Sequence, residues 1–253
     1  MTDLARYARE LGPALAPNMG RAMAEAIELR AAVAFSGSFP LLSGVNLSVE
    51  VGEVVHLSGA NGAGKTSLLR VLVGLVPVSQ GSISVLGYDL RADRRRVRRE
   101  VDLLGHESFL YGDLDARENL AFWLGADHHS PSRVPSGVLE EAFMRVGLSE
   151  RLSLTPVSKL STGQRRRATL ALLYARRRRL WLLDEPHAGL DADGREIVDD
   201  LIREASRSGT TVVFASHEID HARTVATRSV VMVGGTIVAP VDGGLGDGDS
   251  DGA

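Results

Sequence analysis

Glu53-Val54-Val55-His56-Leu57-Ser58-Gly59-Ala60-Asn61-Gly62-Ala63-Gly64-Lys65-Thr66-Ser67-Leu68-Leu69-Arg70 reads as strand, loop and helix in immediate succession. Residues 53–57 are a strand that runs straight into the glycine loop, and residues 65–74 have helical spacing. Three glycines let the backbone curl until successive N–H groups point inward at the N-terminus of that helix, where its dipole favours an anion. Lys65 adds a point charge for the β- and γ-phosphates of a nucleotide, and the Thr66 hydroxyl can take a place on Mg²⁺. The segment therefore predicts a phosphate site.

Further along, residues 180–183 form an apolar strand ending in Asp184-Glu185, which sets two carboxylates at the carboxyl edge of a parallel sheet, beside the loop. Asp184 would hold Mg²⁺ through water, and Glu185 would polarise the attacking water. Taken alone, the pair also reads as an acidic turn closing a buried strand. His217 follows the strand at 211–215, where an imidazole can reach a γ-phosphate and keep water, carboxylate and phosphate in register. A lone histidine there also reads as structural. The other six histidines carry no comparable support, and His128-His129, beside Ser130-Pro131, read as loop.

The pattern between these landmarks is that of an α/β chain. Residues 29–34, 47–51, 82–86 and 101–104 read as strands, and 180–183 and 211–215 as buried parallel ones. Helices are expected at 136–146, 162–175 and 191–208. Residues 1–26, broken by Pro13 and Pro17, read as an extension before a domain spanning 27–239. Residues 240–253, rich in Gly and Asp, read as a disordered tail.

A chain of 253 residues, 44% apolar, can bury one large α/β core but not two nucleotide-binding domains. The net charge of -3 gives no reason to expect a nucleic acid partner. Arginine runs at 94–99, 165–167 and 176–179 lack interleaved aromatics and read as solvated helix faces, with a membrane-facing role open for some. No stretch approaches the roughly 20 apolar residues of a membrane-spanning helix, so a cytosolic chain is expected unless a partner holds it at a membrane. With no cysteine there is no disulfide, thiolate metal site or cysteine nucleophile.

Six motifs in fixed order resemble the ATP-binding cassette (ABC) family: Phe35, the glycine loop, Leu160-Ser161-Thr162-Gly163-Gln164, Leu180-Trp181-Leu182-Leu183-Asp184-Glu185, Gly189-Leu190-Asp191 and Ser216-His217. The likeness runs from about residue 27 to 239. It implies a P-loop nucleotide-hydrolase core with a parallel sheet, an antiparallel β subdomain, and an inserted helical subdomain at about 108–161. By resemblance, ATP contacts Phe35 and Gly59, Ala60, Asn61, Gly62, Ala63, Gly64, Lys65, Thr66 and Ser67. Mg²⁺ contacts Thr66 and Asp184, Glu185 and His217 are catalytic, and Asp191 lies in a dimer interface.

Ser161, Thr162, Gly163 and Gln164 would reach the ATP of a second ATPase subunit, either a copy or a related chain, and would equally serve as a capped helix start. Asp191 also reads as a helix cap. Phe39 competes with Phe35 for the adenine-stacking role, and either aromatic also reads as core. Two positions depart from the family pattern. Thr162 stands where glycine is usual, and alignment on Glu118-Asn119-Leu120 puts Glu107 where a glutamine usually touches Mg²⁺ or the attacking water.

The resemblance implies an ATPase subunit at the inner face of the cell membrane that powers separate ABC transporter membrane subunits. Leu104-Gly105-His106-Glu107 through Arg117-Glu118-Asn119-Leu120, together with residues 55–70, is similar to the haem-exporter branch of the family that serves cytochrome c maturation. The alternative is a soluble ABC ATPase that drives assembly of a protein complex such as an iron–sulfur scaffold.

Overall fold

The computed structural model describes residues 25–105, 108–128 and 136–241. The expected extension before residue 25, Glu107 and the tail from 242 onward lie outside the described residues. In chain order the elements are β1 Glu25–Ser36, β2 Phe39–Glu50, β3 Val54–Ser58, α1 Lys65–Leu72, β4 Val78–Val85, β5 Tyr88–Asp89, α2 Arg94–Glu100 and β6 Val101–Leu104. There follow α3 Ala116–His128, α4 Ser136–Arg145, α5 Glu150–Ser153, α6 Thr162–Arg176, β7 Leu180–Asp184, α7 Ala192–Arg207, β8 Thr211–Ala215, α8 Ile219–Val225, β9 Arg228–Val233 and β10 Thr236–Val241.

Among the described residues two sheets form, a four-stranded antiparallel one in the order β2-β1-β4-β5 and a six-stranded one in the order β10-β9-β3-β8-β7-β6. In the larger sheet only β10 runs antiparallel to its neighbour. The strands β7 and β8 are apolar at nearly every position because both faces of this sheet are covered. Side chains alternate along a strand, so alternate residues enter different cores. Val55, Leu57, Leu180, Leu182 and Val213 join the cluster shared with α1 and the antiparallel sheet. Val54, Trp181, Leu183, Val212 and Phe214 join the cluster shared with α3, α4, α6 and α7.

Helix α7 buries Val198, Leu201, Ile202 and Ala205, the i, i+3, i+4, i+7 stripe of a helix laid on a core. Helix α6 is buried at every position from Ala168 to Ala175 because it lies within the cluster that joins the sheet to the inserted helices. The described residues of that insertion form α3, α4 and α5, and its core is continuous with α6 and the sheet. The strands reach beyond the expected limits of 27 and 239: β1 begins at Glu25, and β10 carries Pro240 and Val241 into the sheet.

Candidate functional site

The parallel register brings three strand ends to one edge. Leu57 pairs with Ala215, and Ala215 pairs with Asp184, so β3, β8 and β7 release their chains side by side. From β3 the chain enters the glycine loop. Gly59, at φ +142°, must be glycine, since a Cβ would sit 2.3 Å from the Met232 carbonyl oxygen. Gly64, at φ +106°, caps α1 in the left-handed region that favours glycine. The loop is pinned to the β9–β10 turn by the Gly235 N–H, which donates to the Ala63 carbonyl at 2.9 Å.

Lys65 is buried at 7% exposure, and its Nζ donates to the Gly59 and Ala60 carbonyls at 2.6 and 3.2 Å, so its charge is held within the loop. The Thr66 hydroxyl donates to Asp184 Oδ2 at 2.8 Å. A hydroxyl and a carboxylate thus converge at the start of α1, an all-oxygen pair of the kind that suits Mg²⁺ shared with phosphates and water. One residue beyond Asp184, Glu185 takes φ +47°, an uncommon backbone conformation for a non-glycine residue. Its N–H donates to the Ala215 carbonyl at 2.9 Å. The His217 backbone N–H donates to Glu185 Oε2 at 3.3 Å, and His217 Nε2 lies 3.3 Å from Glu185 Oε1.

The turn is fixed by Arg166 of α6, whose guanidinium donates to the carbonyls of Gly105, Asp184, Glu185 and Pro186 at 2.6–3.3 Å. Burial lowers its pKa to about 10, against the opposing pull of Asp184 and Glu185, and it remains charged at neutral pH. Arg166 therefore ties the turn bearing both carboxylates to the helix that opens with Ser161.

The second group of residues gathers at the starts of α6 and α7. Ser161 caps α6 in a reciprocal box: its Oγ accepts from the Gln164 N–H at 3.2 Å, and Gln164 Oε1 accepts from the Ser161 N–H at 2.9 Å. The capped helix start expected of this pentapeptide is what forms, and such a cap is worth ~1 kcal/mol. Gly163 faces the Gly189 carbonyl, which a Cβ would approach to 3.0 Å, and a Cβ at Gly189 would lie 3.3 Å from the Thr162 methyl. Asp191 caps α7 by accepting from the Gly194 N–H at 3.0 Å and pairs with Arg167 at 2.8 Å. The Arg167 and Gly194 hydrogen bonds hold its carboxyl below the usual range. A cleft is lined by Ser161, Thr162, Gly163, Gln164, Arg167 and Asp191 among others, and none of its lining residues belongs to the glycine loop.

Phe35 and Phe39 flank the β1–β2 turn and are 42% and 75% exposed, so neither is a core residue. A separate apolar groove is lined by Leu75, Leu103, Phe109, Leu110, Trp123 and Leu172, with Phe109 56% exposed.

His56 does more than its place in a buried strand suggested. A carbonyl can only accept, so His56 Nε2 carries the proton it donates to the Ser216 oxygen at 3.0 Å, immediately before His217. Burial lowers its pKa, with the Ser216 hydrogen bond and Glu185 opposing, so the neutral ring is the native form. As pH falls the unfolded chain takes up the proton first. The stabilisation is present above the ordinary imidazole value of about 6.5 and is lost as pH drops through it toward the lower folded value. The melting temperature is expected to fall between about pH 7.5 and about 5.5, and to fall less in His56→Gln, which keeps an N–H for Ser216. Thermal melts across that range check this, and an unchanged slope would place the acid sensitivity elsewhere.

The profile of the ABC transporter family matches residues 42–188. The cytochrome c biogenesis ATP-binding export protein CcmA of Nitrosococcus oceani is 38% identical over 190 residues, covering 73% of this chain and 84% of that protein. CcmA 2 of Cupriavidus metallidurans is 36% identical over 197 residues, covering 78% and 92%. Among solved structures, a dimeric ATP-binding cassette in a post-hydrolysis state with ADP and Pi matches with a TM-score of 0.77 at 23% identity, over 85% of this chain and 97% of that one, a likeness of fold. With more than half of its length matched by the family profile, the chain belongs to the ABC transporter family, as a nucleotide-binding, ATP-hydrolysing subunit.

Proposed function

We propose that this chain powers transport through separate membrane subunits, and that its process is the export step of cytochrome c biogenesis, with haem as the cargo of those subunits. The process comes from the relatives, which are named for it. No residue of this chain is assigned to haem, because the ATPase need not touch what its partners move.

The observation that carries the hydrolytic reading is the convergence of Thr66, Asp184, Glu185 and His217 at one sheet edge. The loop N–H groups of residues 59–67 and Lys65 cradle the β- and γ-phosphates, and Phe35 stacks on the adenine. Thr66 and Asp184 would hold Mg²⁺, with Glu107 as a further contact, and the ion would supply positive charge against the phosphate oxygens. Glu185 accepts a proton from the water that attacks the γ-phosphorus. His217 hydrogen-bonds both Glu185 and the γ-phosphate, keeping water and phosphorus in line.

The site is completed by a second ATPase subunit. The cleft bearing Ser161 and Gly163 has no lining residue from this chain's own loop, and its hydroxyl and N–H serve an ATP held by the partner. Asp191, which lines that cleft and pairs with Arg167, lies at the seam. No described helix is long and apolar enough to cross a membrane, and the apolar groove around Phe109 supplies a docking place for a helix of a membrane subunit on the inner face.

Capture of the tagged full chain from gently solubilised membranes tests this. A multi-span permease, with cytochrome c maturation proteins beside it, is expected to come with it. Phe109→Asp is expected to reduce that recovery about tenfold or more, with ATP turnover nearly unchanged. Soluble partners alone would replace the transporter reading with a scaffold-assembly one.

A further inference from the structure

Two residues beyond Glu185, His187 is almost wholly buried at 1% exposure, and its Nε2 lies 2.9 Å from Asp199 Oδ1. Asp199 projects from α7 and is itself 4% exposed. Its other oxygen, Oδ2, lies 2.6 Å from Nδ1 of His221, on the first turn of α8. The imidazoles stack, with ring centroids 4.8 Å apart at 26°.

A buried carboxylate needs compensating donors, and here two imidazole N–H groups provide them. Burial pushes the Asp199 carboxyl up, but the hydrogen bonds from His187 and His221 outweigh it and hold the group ionised. The arrangement also fixes the tautomer of His187. Its Nδ1 is buried with no hydrogen-bond partner, so the proton sits on Nε2, which donates to Asp199, and Nδ1 keeps a bare lone pair. His221 Nε2 lies 3.8 Å from Glu218 Oε2, and Glu218 also pairs with Arg195 at 3.3 Å.

The triad spans the two halves of the hydrolytic pair. Pro186 alone separates Glu185 from His187, and the Ala188 N–H donates to the Glu185 carbonyl at 3.1 Å. On the other side, the Glu218 N–H donates to Ser216 Oγ at 3.0 Å, and α8 carries His221 directly after the His217 segment. We propose that His187, Asp199 and His221 are positioning residues for hydrolysis, clamping the turn that carries Glu185 to the segment that carries His217 so that the two side chains keep their 3.3 Å spacing. This rests on the assignment of Glu185 and His217 to the attacking water.

The test compares full-length variants in Mg-ATP turnover, each rate divided by the folded fraction. His187→Phe and Asp199→Ala are expected to lower kcat about tenfold with KM for ATP within about twofold, because the phosphate loop is untouched. His187→Gln, which can still donate an N–H to Asp199, is expected to restore most of kcat. If Asp199→Ala does not fold, His221→Leu, at the half-buried edge of the triad, carries the same comparison. Lower melting temperatures with unchanged kcat per folded molecule would overturn the proposal. So would a stoichiometric divalent ion in the purified chain that Asp199→Asn removes, since the donors would then be metal ligands. Glu185→Gln is assayed alongside: a dead Glu185→Gln beside an active His187→Phe refutes the clamp alone, and an active Glu185→Gln refutes the underlying assignment.

Discussion

ATP turnover is expected to fall about a thousandfold in Glu185→Gln, while ATP still binds and the chain accumulates as an ATP-bound dimer. Glutamine has the shape of glutamate and keeps an oxygen for the His217 N–H, which donates to Glu185 Oε2 at 3.3 Å. It cannot take a proton from water. The backbone at this position, at φ +47°, is held from outside the side chain by the Ala215 carbonyl and by Arg166, so the substitution leaves the turn in place. On the proposed role, what is removed is the carboxylate's interaction with the attacking water, which belongs to the transition state, so kcat should drop with little change in ATP affinity. Phosphate release measured beside gel filtration in ATP checks both halves. Full turnover in Glu185→Gln would remove this residue from the reaction.

The core of this site was legible because its signals are local. A strand followed by Gly59, Gly62, Gly64 and Lys65 is a contiguous motif, and β6, β8 and the start of α6 fall where the apolar runs and the Ser161 cap predict. The cap at Asp191 was legible for the same reason, since an aspartate before a helix satisfies its own first turn. Other elements left weaker marks. The strands β9 and β10 are joined by a two-glycine turn, Gly234-Gly235, and were not singled out; nor was α3, where the continuous apolar run at 120–124 hides the helical period. β2 starts at Phe39, well before residue 47, because pairing with β1 carries it through Gly44 and past an irregular stretch around Ala31.

What sequence alone could not give was the meeting of residues far apart in the chain. Arg166 read as part of a solvated arginine run, yet one guanidinium reaches four carbonyls, three of them in the turn that carries Glu185. His56, His187 and His221 had no motif to mark them. Each is explained only by tertiary packing: His56 by pairing of β3 with β8, and the other two by the approach of α7 and α8 to the turn after β7. One hint was present, in that His187 and His221 stand two and four residues beyond Glu185 and His217. A buried aspartate between them is what gives that spacing a meaning.

Lys65→Ala should weaken ATP binding about 10- to 100-fold, the loss expected when a charge-assisted hydrogen bond of about 1.5–3 kcal/mol is deleted. Lys65 Nζ already sits among the Gly59 and Ala60 carbonyls, at 2.6 and 3.2 Å, so little side-chain freedom remains to be frozen when phosphates arrive. The loss therefore falls on affinity, whereas Glu185→Gln falls on chemistry. Combining them separates the order of events. On the proposed two-subunit site, closure requires bound ATP, so the double variant should resemble Lys65→Ala, with no ATP-dependent dimer at concentrations that saturate Glu185→Gln. Lys65→Arg is not a neutral control, because a planar, bulkier guanidinium does not replace an ammonium in a loop this narrow. Nucleotide titration of the single and double variants measures the effect. An undiminished ATP-dependent dimer in the double variant would mean that the nucleotide is anchored somewhere other than the glycine loop.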